Sequence, residues 1–327
     1  MRPPFEVTPR SARLLAEIER LLGRHEGAQM APASPMLRRS MRVRTIQASL
    51  QIEGNTLSEE QVTALLEGRR VLAPARDLLE VKNAIACYEK LPKWRPGSAK
   101  HLLAAHKVMM AGLVPRAGAW RSKGVGIAKG NVIAHVAPPA ARVPGLMQDL
   151  LDWVDADDET PALIRAAVCH YEMEFIHPFE DGNGRMGRLW HSLILQQHHP
   201  LFAQAPVESA IRDRQADYYA VLDRCDKAGK STAFIEFALE LTLHVLQQAG
   251  TSQRTRMSSE ERMTEARRHF GKRIFSRKDY LQHFTGLSSA SASRDLREAA
   301  SKDVLTRTGD KALTRYRFGL TIAGASK

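Results

Sequence analysis

The chain has 327 residues, of which 43% are hydrophobic and 26% charged, with a formal net charge of +12. That length leaves room for two or three domains, and the apolar fraction is sufficient for packed cores. It holds no apolar run of the ~18 residues a transmembrane helix requires, and Met1-Arg2-Pro3-Pro4-Phe5-Glu6 lacks the apolar core of a signal peptide. Cys87, Cys169 and Cys225 are odd in number, far apart and without metal-binding spacing, so they read as reduced core thiols of a cytoplasmic protein.

In chain order, residues 11–25 carry Leu14, Leu15, Ile18, Leu21 and Leu22 on one stripe, which predicts an amphipathic helix. Ser49 and Glu53 lie four apart and so share a helix face, and Gly54 follows as a C-cap glycine would. Ser58 caps a next helix with acids in its first turn. Further helices are expected over 78–90, 99–110, 143–153, 161–174 and 233–248. Between them, Val125-Gly126-Ile127 and Val132-Ile133 flank Gly130-Asn131 and predict a β-hairpin. The fold class is therefore mainly α, a helical bundle carrying one hairpin.

The run from His177 to Arg188, His-Pro-Phe-Glu-Asp-Gly-Asn-Gly-Arg-Met-Gly-Arg, gathers an imidazole, two carboxylates, three glycines and two guanidinium groups. Asp181 offers oxygen to a divalent cation, as Mg²⁺ prefers. Gly182 and Gly184 lack a Cβ and allow close approach of a ligand to the backbone. Residues after Gly184 read as a helix, whose N-terminal N–H groups and dipole attract anions. Arg185 and Arg188 can each fork two donors onto phosphate oxygens, and His177 can take a proton.

This run resembles the signature of the Fic (filamentation induced by cAMP) family, H-x-F-x-D/E-G-N-G/K-R-x-x-R, at every position. The resemblance implies transfer of AMP from ATP to a Ser, Thr or Tyr hydroxyl of a target protein. It implies His177 as general base, Asp181 as ligand of Mg²⁺, an anion hole at Gly182, Asn183 and Gly184, Arg185 as phosphate clamp, and Arg188 as partner of the γ-phosphate. Phe179 is expected to anchor the loop in the core. Gly184, where a phosphorylating branch has Lys, favours nucleotidyl transfer. Ser49-Leu50-Gln51-Ile52-Glu53-Gly54 resembles the family's inhibitory motif, whose glutamate would hold Arg188 in a bidentate pair and exclude productive ATP. The hairpin (Val125, Ile127, Val132, Ile133) resembles the flap that docks the target peptide by strand addition, and Tyr218 and Tyr219 resemble a pair that contacts adenine.

A composition shift divides the chain into an N-terminal region 1–95 with an inhibitory helix near 43–54, a catalytic core 96–250, and a tail 251–327 that starts with a polar linker. The tail holds 17 Lys and Arg against 8 Asp and Glu, a net +9. Helices expected at 264–271, 276–284 and 289–300, followed by strand, turn and strand, resemble a winged helix-turn-helix. Ser289, Ser291, Ser293, Arg294 and Arg297 could face DNA, whereas Asp295 and Glu298 count against it. The leading expectation is a protein adenylyltransferase restrained by Glu53, with self-modification as one outcome. Alternatives are removal of AMP from modified targets, and a DNA-binding regulator that senses nucleotide. A homodimer could bury and regulate the inhibitory helix. No membrane partner is expected.

Overall fold

The helical stripes become fourteen α-helices among the described residues of the computed structural model, with two antiparallel hairpins. The structure describes residues 2–27, 35–124, 126–129, 132–156, 159–256, 258–284, 287–310 and 314–319. Contacts divide the chain into two units, Met1–Leu246 and Gln247–Lys327.

The first unit is built around α7 (Ala162–Ile176) and α8 (Asn183–His198). Both bury residues on nearly every face, α7 with Leu163, Ile164, Ala167, Val168 and Met173, and α8 with Met186, Leu189, Trp190, Leu193 and Ile194. A helix buried on nearly every face lies inside a core rather than on its surface, and α8 carries Arg185, Arg188 and His191 in with it. The two pack along each other, joined by the short turn 177–182, so that turn is fixed at one end of the core. Helices α2 (Pro35–Ile52), α4 (Ala75–Lys90), α5 (Ala99–Met109) and α6 (Val143–Asp155) complete the shell around them, with α1 (Pro9–Gly27), α3 (Glu59–Leu66), α9 (Val207–Asp213), α10 (Gln215–Ala228) and α11 (Thr232–Arg256) as far as Leu246. Ser58 caps α3 in a full capping box with Gln61. Cys87, Cys169 and Cys225 are free and buried.

Strands β1 (Gly126–Lys129) and β2 (Val132–Val136) pair antiparallel, with a register irregularity between Ile127 and Ala128. Ile127, Val132 and Ile133 lie in these strands, while Val125 and the Gly130-Asn131 turn lie outside the described residues. The polar stretch after Gly250 reads as a linker, but α11 continues through it to Arg256. Helix α11 therefore runs through Gly250, Thr251 and Ser252, residue types that disfavour a helix interior only by fractions of a kcal/mol up to ~1 kcal/mol each. No described helix is long and apolar enough to cross a membrane.

The second unit contains α12 (Ser259–Phe270), α13 (Arg277–His283), α14 (Ser289–Ser301) and the hairpin of β3 (Leu305–Thr308) and β4 (Arg315–Phe318). Helix α12 starts five residues earlier than the expected 264, because Ser258 and Glu261 form a capping box. Ser276 and Asp279 form another on α13. Phe270, Phe275, Tyr280, Phe284, Leu296 and Phe318 fill a separate core. Part of the turn between α13 and α14, Thr285-Gly286, lies outside the described residues. Asp295, which the sequence places on a solvent-facing helix, is instead wholly buried. It accepts Arg262 Nε at 2.6 Å and Nη2 at 2.9 Å, and the Tyr280 hydroxyl at 3.3 Å.

A buried pair broken at one member leaves the other charge uncompensated, at a cost of about 3–5 kcal/mol. Asp295→Ala is therefore expected to strip hydrogen-exchange protection from α12 and α14 while α7 and α8 keep theirs; equal protection in the variant would show the pair to be dispensable.

Candidate active site

The site begins where α7 stops. His177 adopts a left-handed conformation (φ 51°, ψ 60°), with its N–H bonded to Met173 O at 3.1 Å. Left-handed backbone is unfavourable for a residue with a Cβ and persists only where surroundings impose it. Pro178 then forbids further helix. Asn183 closes the turn: its Oδ1 accepts Phe179 N–H at 2.9 Å and its Nδ2 donates to Phe179 O at 3.0 Å. Phe179 is fully buried, as its anchoring role requires, stacked on His106 at 3.7 Å between centroids and tilted against Trp120 at 5.2 Å.

His106 holds the loop from below. The Gly118 N–H donates to its Nδ1 at 2.8 Å, so Nε2 carries the proton and donates to Asp181 O at 3.0 Å. Burial keeps this imidazole below its ordinary pKa and therefore neutral. Gly182 (φ 87°) precedes α8, and a side chain there would strike Met110 Sδ at 2.7 Å. The first-turn N–H groups of α8 have no helical acceptor and face the turn that Asp181 begins.

Both signature arginines are buried and both are held by carboxylates. Arg185 donates Nη2 to Asp181 Oδ1 at 2.9 Å and Nη1 to Glu80 Oε1 at 3.3 Å. Its Nε finds no acceptor among the described residues. Asp181 also takes the Gly182 N–H at 2.6 Å, and Arg76 approaches its other oxygen at 3.5 Å. Glu80 is tied back to Asn55, whose Nδ2 donates at 2.9 Å.

Arg188 reaches the end of α2. Its Nε donates to Ser49 Oγ at 3.1 Å, and its Nη2 donates to Ser49 O at 2.9 Å and to Glu53 Oε1 at 2.7 Å. Ser49 and Glu53 share a face, in keeping with their spacing, and converge on one guanidinium. The expected bidentate carboxylate pair is not formed: a single Glu53 oxygen is engaged, because Ser49 occupies the Nε edge. Gly54 (φ 90°) ends the helical turn, with N–H to Gln51 O at 3.0 Å. Glu53 lies so close to Gly184 that a Cβ there would stand 2.4 Å from its Oε1.

Glu174 sits one turn before His177, its Oε1 accepting the Tyr218 hydroxyl at 3.2 Å. Burial pushes its carboxyl up to about 7, and Glu53 adds to the effect while Arg188 and Tyr218 oppose it. Tyr218 is buried against Phe234 and Phe237 and also meets His170 Nε2 at 3.1 Å. Tyr219 beside it is 36% exposed. The sequence did not point to His106, Glu80, Arg76 or Arg121. His106 alone left a trace, a polar ring on the apolar face of α5 with Leu102, Ala105 and Met109. Among the described residues no group of three or more His, Cys, Asp or Glu side chains could form an all-protein metal cage.

A helical core presenting this turn between two helices, with a hairpin and α6 preceding them in the chain, defines a class. The family model of the Fic/DOC family matches residues 96–195. The crystal structure of a Fic family protein from Desulfovibrio desulfuricans G20 is 41% identical, covers 100% of both chains and superposes with a TM-score of 0.73. The chain belongs to the Fic family. The protein adenylyltransferase fic-1 of Caenorhabditis briggsae is 32% identical over 205 residues, 58% of this chain but only 38% of the relative. A structure of Fic-1 from C. elegans is 25% identical with a TM-score of 0.61, covering 76% of this chain and 74% of that one.

Glu174 has a folded pKa near 7 against 4.5 ordinarily. The folded state therefore binds its proton more tightly, and this contribution to stability is complete below pH 4.5 and lost as pH rises through 7. Glu172 is pushed to about 7 in the same way. Glu174→Gln is expected to reduce the loss of unfolding free energy between pH 5 and 7.5 by about 2–3 kcal/mol, read from denaturant midpoints. An unchanged pH slope would contradict the assignment.

Proposed function

We propose that the chain is a protein adenylyltransferase that moves AMP from ATP to a Ser, Thr or Tyr hydroxyl, held in check by Glu53. The observation that carries this reading is Arg188, a buried guanidinium beside the helix N-terminus that is engaged by Glu53 and Ser49. The acceptor oxygen forms a bond to the α-phosphorus, its proton passes to His177, and the bond to the bridging oxygen breaks to release pyrophosphate. Arg185 and the first-turn N–H groups around Gly182, Asn183 and Gly184 neutralise and orient the phosphates. Tyr219 offers the exposed ring for the adenine, with Tyr218 beneath it at 5.3 Å between centroids.

Asp181 is the residue that would hold Mg²⁺. It is one partly exposed carboxylate at a helix N-terminus, which fits an ion that takes one or two carboxylates plus phosphates and water. When bound, the ion neutralises phosphate charge. The Glu53 carboxylate, over Gly184 and on Arg188, repels the terminal phosphate electrostatically and removes the cation that would bind it. Strand addition to β1–β2 would bring the acceptor segment to His177.

A second reading concerns residues 251–327, which we propose form a winged helix that binds duplex DNA. The inward orientation of Asp295 favours it, since α14 then presents Ser289, Arg294 and Arg297 outward. A salt-dependent electrophoretic shift with duplex DNA tests it, and no shift at low salt would remove it.

With ATP labelled at the α-phosphate and Mg²⁺ present, Glu53→Gly is expected to raise label on protein at least about tenfold over wild type. The double variant Glu53→Gly/His177→Ala should fall about 10²–10⁴-fold below the single one. Equal labelling in all three would refute the transferase reading. Release of AMP from a pre-modified protein by wild type, without labelling in any variant, would establish the reverse reaction instead.

A further inference from the structure

Arg121 is only 2% exposed, yet no carboxylate among the described residues pairs with it. Four backbone carbonyls answer its charge instead. Nε donates to His177 O at 2.7 Å and Nη1 to Lys123 O at 2.8 Å. Nη2 donates to Ile176 O at 3.3 Å and makes a short bond to Pro138 O. Its own N–H donates to Pro178 O at 2.9 Å.

These acceptors come from three separate places. Ile176 and His177 end α7, Lys123 leads into β1, and Pro138 follows β2. The α7 carbonyls lack intrahelical donors and welcome a cation at the helix C-terminus. A C-cap alone would not need the other two bonds. Those bonds hold both ends of the hairpin to the residue whose imidazole takes the proton. Only a planar five-donor fork can serve three segments at once, and an ammonium on a flexible stem cannot reproduce it.

We infer that Arg121 is a positioning residue that fixes the β1–β2 hairpin against His177 and so aligns the acceptor hydroxyl for transfer. This rests on the transferase reading above. Water needs no alignment by the hairpin, so Arg121 governs transfer to protein more than hydrolysis of ATP.

The test uses the full chain with Glu53→Gly as parent, and adds Arg121→Lys or Arg121→Gln. Self-labelling from α-labelled ATP, AMP release into water, and ATP affinity by calorimetry are measured together. Self-labelling is expected to fall about 10²-fold, the loss that an ångström of misalignment causes. Hydrolysis should fall less than tenfold and ATP affinity stay within about twofold. Unchanged labelling would overturn the inference, as would parallel loss of labelling, hydrolysis and ATP binding, which marks a merely structural residue. If the parent itself does not label, the transferase reading fails, and hydrogen exchange then decides the anchoring. Lost protection in residues 126–136 with α7 and α8 intact would support it, and unaltered protection would sink it.

Discussion

Arg188 is a permanently charged group on a helix that lies inside the core, and everything around the site answers that fact. A buried guanidinium left unpaired costs several kcal/mol, so its surroundings must supply anions or carbonyls. Here they are Ser49 from α2 and Glu53 just past its end, backed by Glu174 and Tyr218 from α7 and α10. Arg185 obeys the same rule through Asp181 and Glu80. The resting site is thus neutralised by its own carboxylates, and the phosphates of a nucleotide would compete with them rather than enter an open positive pocket. The two carboxylate contacts are joined: Asn55, two residues after Glu53, binds the Glu80 that holds Arg185. Withdrawal of the α2 terminus would loosen both guanidinium groups together.

Rigidity of the turn is the second requirement. Transfer chemistry needs a base, an anion site and an acceptor within a fraction of an ångström of each other. The strained His177 backbone, the Asn183 ring of bonds to Phe179, the His106 bond to Asp181 and the Arg121 fork each remove one freedom of this loop. The last three act from buried side chains, which water cannot compete with, so the loop keeps its shape without a ligand to organise it.

How much of this was legible in the sequence depended on range. The turn, its arginines and the Ser49–Glu53 spacing are local patterns, and the long-range contact between Glu53 and Arg188 is the one the family resemblance implies. Helix boundaries governed by caps are legible at Ser58 and Ser276, whereas the Ser258 cap starts α12 five residues before the periodicity does. Polar composition misled twice. The 251–256 segment is helical although it reads as linker, and Asp295 is buried although it reads as surface, because an arginine 33 residues away pairs with it. Glu80 and Arg121 were not legible, and His106 only faintly, because the contacts that tie them to the 177–188 run lie 105, 56 and 75 residues distant.

The central claim is that Glu53 holds the guanidinium that the terminal phosphate of ATP would otherwise occupy. Calorimetric affinities of wild type and Glu53→Gly for ATP and for AMP, at equal Mg²⁺, address it without any target protein. The account predicts that the substitution strengthens ATP binding by about tenfold or more, ~1.4 kcal/mol, and leaves AMP binding within about twofold. Equal gains for AMP and ATP, or none for either, would contradict it.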